Sequence, residues 1–167
     1  YGFHSANFLI GKKVVIDPVP TRLWGTFYGD ETGLNAANWY PSDLTTDSLG
    51  NAYVSGTTTS QSPSYATSGA HQTSGSHPYV NSIFKFDKNG NRLWGTYYAG
   101  TQYVYIYGVK TDSQNNVLIT GYTGSETNIS TVGSFQPNLK GSSDAFLVKF
   151  NSNGVRQWGT YFGGEDY

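Results

Sequence analysis

Cysteine and methionine are both absent from the 167 residues, and the two absences carry different weight. Without cysteine there is no disulfide framework, no thiolate metal site and no cysteine nucleophile, while the redox compartment stays open. Without methionine, a sequence that opens Tyr1-Gly2-Phe3 reads as a processed product or an excerpt of a longer polypeptide. Charge is scarce as well. Only 13% of residues are Asp, Glu, Lys or Arg and the formal net charge is -1, so no surplus exists to neutralise phosphates or to hold the chain on an anionic membrane. Nucleic acid is not an expected partner. No apolar run approaches the roughly 20 residues of a spanning helix, so no membrane insertion is expected. No basic start followed by an apolar stretch resembles a signal peptide.

What is present in quantity is aromatic and turn-forming: 14 Tyr, 9 Phe and 4 Trp beside 21 Gly. That mixture suits pleated strands and tight connections rather than long helices. The chain also repeats itself. Arg22-Leu-Trp-Gly-Thr-Phe-Tyr28 returns as Arg92-Leu-Trp-Gly-Thr-Tyr-Tyr98 and as Arg156-Gln-Trp-Gly-Thr-Tyr-Phe162, which places Trp24, Trp94 and Trp158 at one position of a repeat. Asp47-Ser-Leu-Gly-Asn-Ala-Tyr-Val-Ser-Gly56 aligns with Asp112-Ser-Gln-Asn-Asn-Val-Leu-Ile-Thr-Gly121, Gly69-Ala-His-Gln72 with Gly133-Ser-Phe-Gln136, and Phe84-Lys-Phe86 with Val148-Lys-Phe150. The repeat therefore spans the whole unit.

Strand signals within each unit fall into four runs. They predict strands over 38–47, 51–58, 81–88 and 92–98 in one unit, the first weakened by Pro41, and over 105–112, 116–123, 144–151 and 155–162 in the next. Short turns such as Lys88-Asn-Gly90 and Ser152-Asn-Gly154 join them as antiparallel hairpins, because Asn-Gly readily supplies positive φ. The 144–151 run is apolar on both faces, Ala145 and Leu147 on one and Phe146, Val148 and Phe150 on the other, which predicts a sheet covered on both sides. Four-stranded antiparallel units that each need a neighbour on either face are the blades of a β-propeller. The expected fold is all-β: two complete blades, 38–98 and 103–162, preceded by an orphan outer strand at 21–29 and followed by the start of another blade at 163–167. Residues 1–20 form the tail of a preceding domain or a linker with one strand. Two blades and an orphan strand cannot close a ring, so the isolated segment is expected to aggregate or stay partly unfolded.

The pattern Trp-Gly-Thr-Tyr-Tyr/Phe, Asp-Ser-x-x-Asn-Val-Leu-Ile-Thr-Gly, Gly-x-Phe-Gln and Asp-Ala-Phe-Leu-Val-Lys-Phe-Asn-Ser-Asn-Gly resembles the SBBP β-propeller repeat over residues 21–167. The usual Gly-Gly after the Trp motif is replaced by Gly29-Asp30 and Ala99-Gly100. The resemblance implies a large secreted or cell-surface bacterial protein, often from Bacteroidetes and often cargo of the type IX secretion system. It implies architecture and location more than chemistry, since catalysis is not shared by such proteins.

No Ser/His/Asp or His-Glu spacing with a mechanistic signature occurs among His4, His71 and His77 and the loop carboxylates Glu31, Glu126 and Glu165. No catalytic residue, metal or cofactor is assigned. The alternative is the non-catalytic part of a carbohydrate-active enzyme with its active site elsewhere. Trp24, Trp94, Trp158, Phe86 and Phe150 are expected to be packing residues of the repeat, and the Asp87-Lys-Asn-Gly-Asn91 turn is expected to be a hairpin rather than a calcium loop. The long loops should bring Trp39, Tyr40, Tyr65, His71, His77, Tyr79 and Tyr103 to one side of the blades, a mixture suited to stacking on sugars or gripping a partner protein. Ser48 lies in a short Asp-Ser-apolar pattern used for O-glycosylation in Bacteroidetes. Expected partners are the remainder of its own propeller and a surface protein, a glycan or a secretion component.

Overall fold

The computed structural model describes residues 22–26, 39–58, 65–75, 77 and 79–165. Eight strands are present: β1 (Trp39–Thr46), β2 (Ala52–Thr58), β3 (Val80–Phe86), β4 (Arg92–Tyr98), β5 (Val104–Thr111), β6 (Val117–Thr123), β7 (Asp144–Phe150) and β8 (Arg156–Phe162). They form two antiparallel sheets, β1-β2-β3-β4 and β5-β6-β7-β8, each in simple chain order. The two sheets do not close a ring among the described residues. Residues 1–20, with their expected strand, lie outside the described residues. Of the expected orphan strand, residues 22–26 are irregular rather than strand, and the rest lies outside the described residues.

The four hairpins share one construction. Asp47, Asp87, Asp112 and Asn151 each accept hydrogen bonds, through one side-chain oxygen, from the backbone N–H groups two and four residues on. The position two before the returning strand has positive φ in every case: Gly50, Gly90 and Gly154 at 80°, 86° and 80°, and Asn115 at 62°. This is a side chain imitating a backbone turn, followed by a residue able to enter the left-handed region. Irregularities in the ladders also recur, with a bulge after Pro41 in β1 and after Ile106 in β5. Pro41 is tolerated because β1 is an edge strand of its sheet.

The sheets meet face to face. Tyr53, Ile83 and Tyr98 of the first enter one core with Val104, Ile106, Val109, Val117, Ile119, Phe146, Val148 and Phe150 of the second. Burying each such large apolar side chain is worth about 1.5–3 kcal/mol. The opposite face of the first sheet carries Val80, Phe84, Phe86 and Tyr97, packed with Tyr65 from the β2–β3 loop. β3 is thus buried along its whole length. β7 differs from the expectation of cover on both sides: Ala145 is exposed and Leu147 half-buried, because the described residues place no sheet over that face.

The long loop of each sheet crosses back over its last strand. Thr67 N donates to Gly95 O at 3.0 Å and Thr131 N to Gly159 O at 2.9 Å. A Cβ on Gly95 would stand 2.3 Å from the Tyr65 carbonyl oxygen, and one on Gly159 equally close to that of Ile129. The glycine of each Trp-Gly-Thr motif exists to admit this crossing. Gly95→Ala should therefore destabilise the fold by about 3 kcal/mol or more in urea denaturation. Gly69→Ala, at a glycine with positive φ and nothing within 4 Å, should cost only the left-handed strain of about 1–2 kcal/mol. Equal losses at the two sites would contradict the crossing as the reason for Gly95.

Candidate functional site

Of the residues that repeat along the sequence, Trp94 lies at the seam between the sheets. Trp94 leaves β4 and lies over the β7–β8 turn, its indole Nε1 donating to Ser152 O at 3.0 Å. A Cβ on Gly154 would come within 3.0 Å of the indole ring, so only glycine lets the ring settle on that turn. Trp94 also meets the Tyr53 ring edge-on at 6.0 Å. Trp24 repeats the arrangement one unit earlier, with its ring over Gly90 and 6.4 Å from Phe86. Trp158, the third copy, is 36% exposed. Phe86 and Phe150 are both buried.

The same turn carbonyl receives a charge. Lys85 Nζ donates to Ser152 O at 3.0 Å, lies 5.0 Å above the Tyr53 ring, and stands 3.7 Å from Asp47. Burial pulls the Lys85 amine below the ordinary lysine range, and the neighbouring Asp47 opposes that. The Tyr53 phenol, which donates to Asp47 at 3.1 Å, is pushed up by burial and by that carboxylate. In the second sheet Lys149 pairs with Asp112 at 2.8 Å, and this ion pair and the Asn116 amide hold the Asp112 carboxyl well below the usual range. The Asp87 turn, weighed as a calcium loop, instead has its carboxylate engaged by two backbone N–H groups and the Asn91 amide.

Of the candidate binding residues, the structure brings few together. Tyr65 is fully buried, packed against Phe84 and Tyr97 at 5.7 and 6.1 Å, and is a core residue rather than a ligand contact. Its loop folds inward because Gly95 leaves room for the backbone. His71 is half-buried at the seam, between Tyr98 at 6.1 Å and Phe150 at 5.6 Å, with its Nε2 buried and without a hydrogen-bond partner among the described residues. Tyr79 is 48% exposed and pairs with His77, whose Nδ1 lies 3.2 Å from the Tyr79 backbone N–H. Tyr40 is 55% exposed on β1. The Trp39 side chain lies outside the described residues, as do His4 and Glu31. Glu126 and Glu165 are exposed in loops. Ser48 is exposed, and its hydroxyl donates to Asn115 Oδ1 at 2.9 Å, tying the first turn of one sheet to that of the next.

Tyr103 belongs to a group that the sequence reading did not assemble. Its ring lies against Gly124 and within 5.7 Å of Tyr105 and 5.9 Å of Tyr122, while Tyr122 lies 5.2 Å from Tyr105 and 5.5 Å from Tyr107. The alternation Tyr103-Val-Tyr105-Ile-Tyr107 was a legible signal, since a period of two puts all three on one strand face. Tyr122 could not be added from sequence, because it arrives through the β5–β6 register that sets it opposite Tyr105.

Burial and the Arg156 charge lower the His71 pKa to about 4. An imidazole that titrates near 6.5 in the unfolded chain binds its proton there first, so this contribution to stability is intact above pH 6.5 and is lost as pH falls towards 4. His71 is only half-buried and solvent screens part of this shift, so the expected loss is about 1–2 kcal/mol. His71→Phe, which installs the residue found at the matching Phe135, should remove that slope in denaturation measured at pH 7, 5 and 4. An unchanged pH dependence would show that His71 is not the group responsible.

The comparisons with known proteins agree with this geometry at one place. A model of the SBBP beta-propeller repeat matches residues 31–62, the stretch that contains the β1–β2 hairpin. No curated protein matches the chain. The match to a propeller repeat and the two antiparallel four-stranded sheets together are consistent with propeller blades.

Proposed function

We propose that the chain is a non-catalytic β-propeller scaffold and binding module, working as part of a secreted or cell-surface bacterial protein in adhesion or surface assembly. The observation that carries the scaffold reading is the reuse of one seam. Trp24 lies over the Gly90 turn and Trp94 over the Gly154 turn, and Trp158, the third copy, is 36% exposed against 38% for Trp24, with Phe162 on the same strand 67% exposed. A binding surface built this way is held on rigid strands, while the repeated tryptophans, glycines and aspartates are occupied in packing and turns. The extracellular setting, a Bacteroidetes origin and export by the type IX system are supported only by the resemblance of the repeat motifs. A surface protein or a glycan is the proposed partner.

The scaffold reading is tested by comparing two equivalent tryptophans in the full-length chain. Trp94→Ala and Trp158→Ala should each cost about 3 kcal/mol in urea denaturation if a further blade covers the second sheet as the second covers the first. A loss below about 0.5 kcal/mol for Trp158→Ala alone, the range of surface substitutions, would show that the face stays open and would overturn the propeller reading.

A further inference from the structure

We propose that Tyr103, Tyr105, Tyr107 and Tyr122 form a platform that binds a neutral carbohydrate chain. This deepens the reading of the chain as a binding scaffold and rests on it. Tyr122 on β6 is in ring contact with Tyr105 and Tyr107 of β5 and with Tyr103 just before that strand, and Tyr103 also meets Tyr105; Tyr107 is 65% exposed and the other three are half-buried. Tyr103 is fixed by packing on Gly124 and by its carbonyl, which accepts from the Thr123 hydroxyl at 2.8 Å. Rings held on strands lose little freedom when a ligand arrives.

The internal repeat shows that the sheet does not need the Tyr107 and Tyr122 rings. By register Tyr105 corresponds to Tyr40, Tyr122 to Thr57, and Tyr107 to Ser42, the extra residue of the bulge in β5 and in β1. The first sheet packs on the second with a serine and a threonine at those two places. Moreover, Tyr40 keeps 55% of its surface and Ser42 stays exposed although the second sheet is docked beside them. A blade packed on the second sheet in the same way would leave the Tyr105 and Tyr107 positions open to solvent. Bulges gather near functional sites, and Tyr107, 65% exposed, is the extra residue of this one.

The chemistry selects the ligand. Phenol rings offer flat apolar faces for the C–H surfaces of sugar rings, and their hydroxyls can donate to and accept from sugar hydroxyls. The patch carries no formal charge. Lys110, the cation on the same strand, is paired with Asp43 at 3.0 Å. The Tyr107 hydroxyl hydrogen-bonded beside it pushes the Tyr122 phenol above the ordinary tyrosine range, so the phenol remains neutral. An uncharged polyol matches such a surface better than an anionic polymer.

The test uses the full-length chain, titrated calorimetrically with cellohexaose, maltohexaose and laminarihexaose. At least one should bind, and the double variant Tyr107→Ser with Tyr122→Thr, which installs the first sheet's residues, should weaken association by about tenfold or more. Its thermal midpoint should stay at the parent value. Absence of binding to all three sugars, or equal binding by the variant, overturns the platform. A lowered midpoint without any sugar binding would show instead that the rings pack against protein. That result also overturns the platform, and it leaves the scaffold reading to stand or fall on Trp158→Ala.

Discussion

The carbonyl of Ser152 is the point on which the two sheets are joined, because it accepts hydrogen bonds from both the Trp94 indole and the Lys85 ammonium. A buried ammonium is costly unless paired. Lys85 meets that cost through Asp47 of its own sheet and the Ser152 carbonyl of the other, so the sheets are held in one register and not merely pressed together. The apolar seam then extends from this point. Tyr98, whose phenol donates to Ile129 O at 3.0 Å, packs on Phe146 and Phe150 and fills the outer half of the contact. Asp43 closes the inner half by accepting from Val109 N at 2.9 Å.

One set of residues plays its part twice, but not identically. Gln72 holds the first long loop by bonding both the N–H and the carbonyl of Ala99, whereas Gln136 bonds Gly163 N and the buried Asp144 carboxylate. The exchange of Val80 for Asp144 comes with the exchange of Ala99 for Gly163. A Cβ on Gly163 would lie 1.9 Å from Asp144 Oδ1, so the carboxylate and a larger residue cannot share that corner. Coupled substitutions of this kind let a repeat drift without loss of the backbone plan. The tyrosine cluster of the second sheet is a drift of another sort, since it changes an exposed surface and no packed one.

Much of the architecture was legible in the residues. The period of two in the strands, the Asn-Gly and Asp-x-x-Gly turns and the recurrence of Trp-Gly-Thr placed eight strands close to where they lie, with the last two residues of the predicted third strand, 87–88, falling in the turn that Asp87 organises. The loop candidates fared less well. Tyr65 resembles an exposed loop aromatic in sequence, yet it is a core residue, because loop burial depends on what the chain crosses and the reason lies at Gly95, 30 positions away.

The strands, the hairpins and the repeat follow from residues a few positions apart, since backbone preference and alternation are local properties. Which side chains enter the seam and which remain at the surface depends on how the sheets pack. His71 and Phe135 occupy one position of the repeat, but His71 is half-buried against Phe150 and Phe135 is 82% exposed. Nothing in either residue's own neighbourhood separates them. The difference is made by the sheet that packs on the first and by the absence of a sheet over the second among the described residues, and burial is a property of that packing.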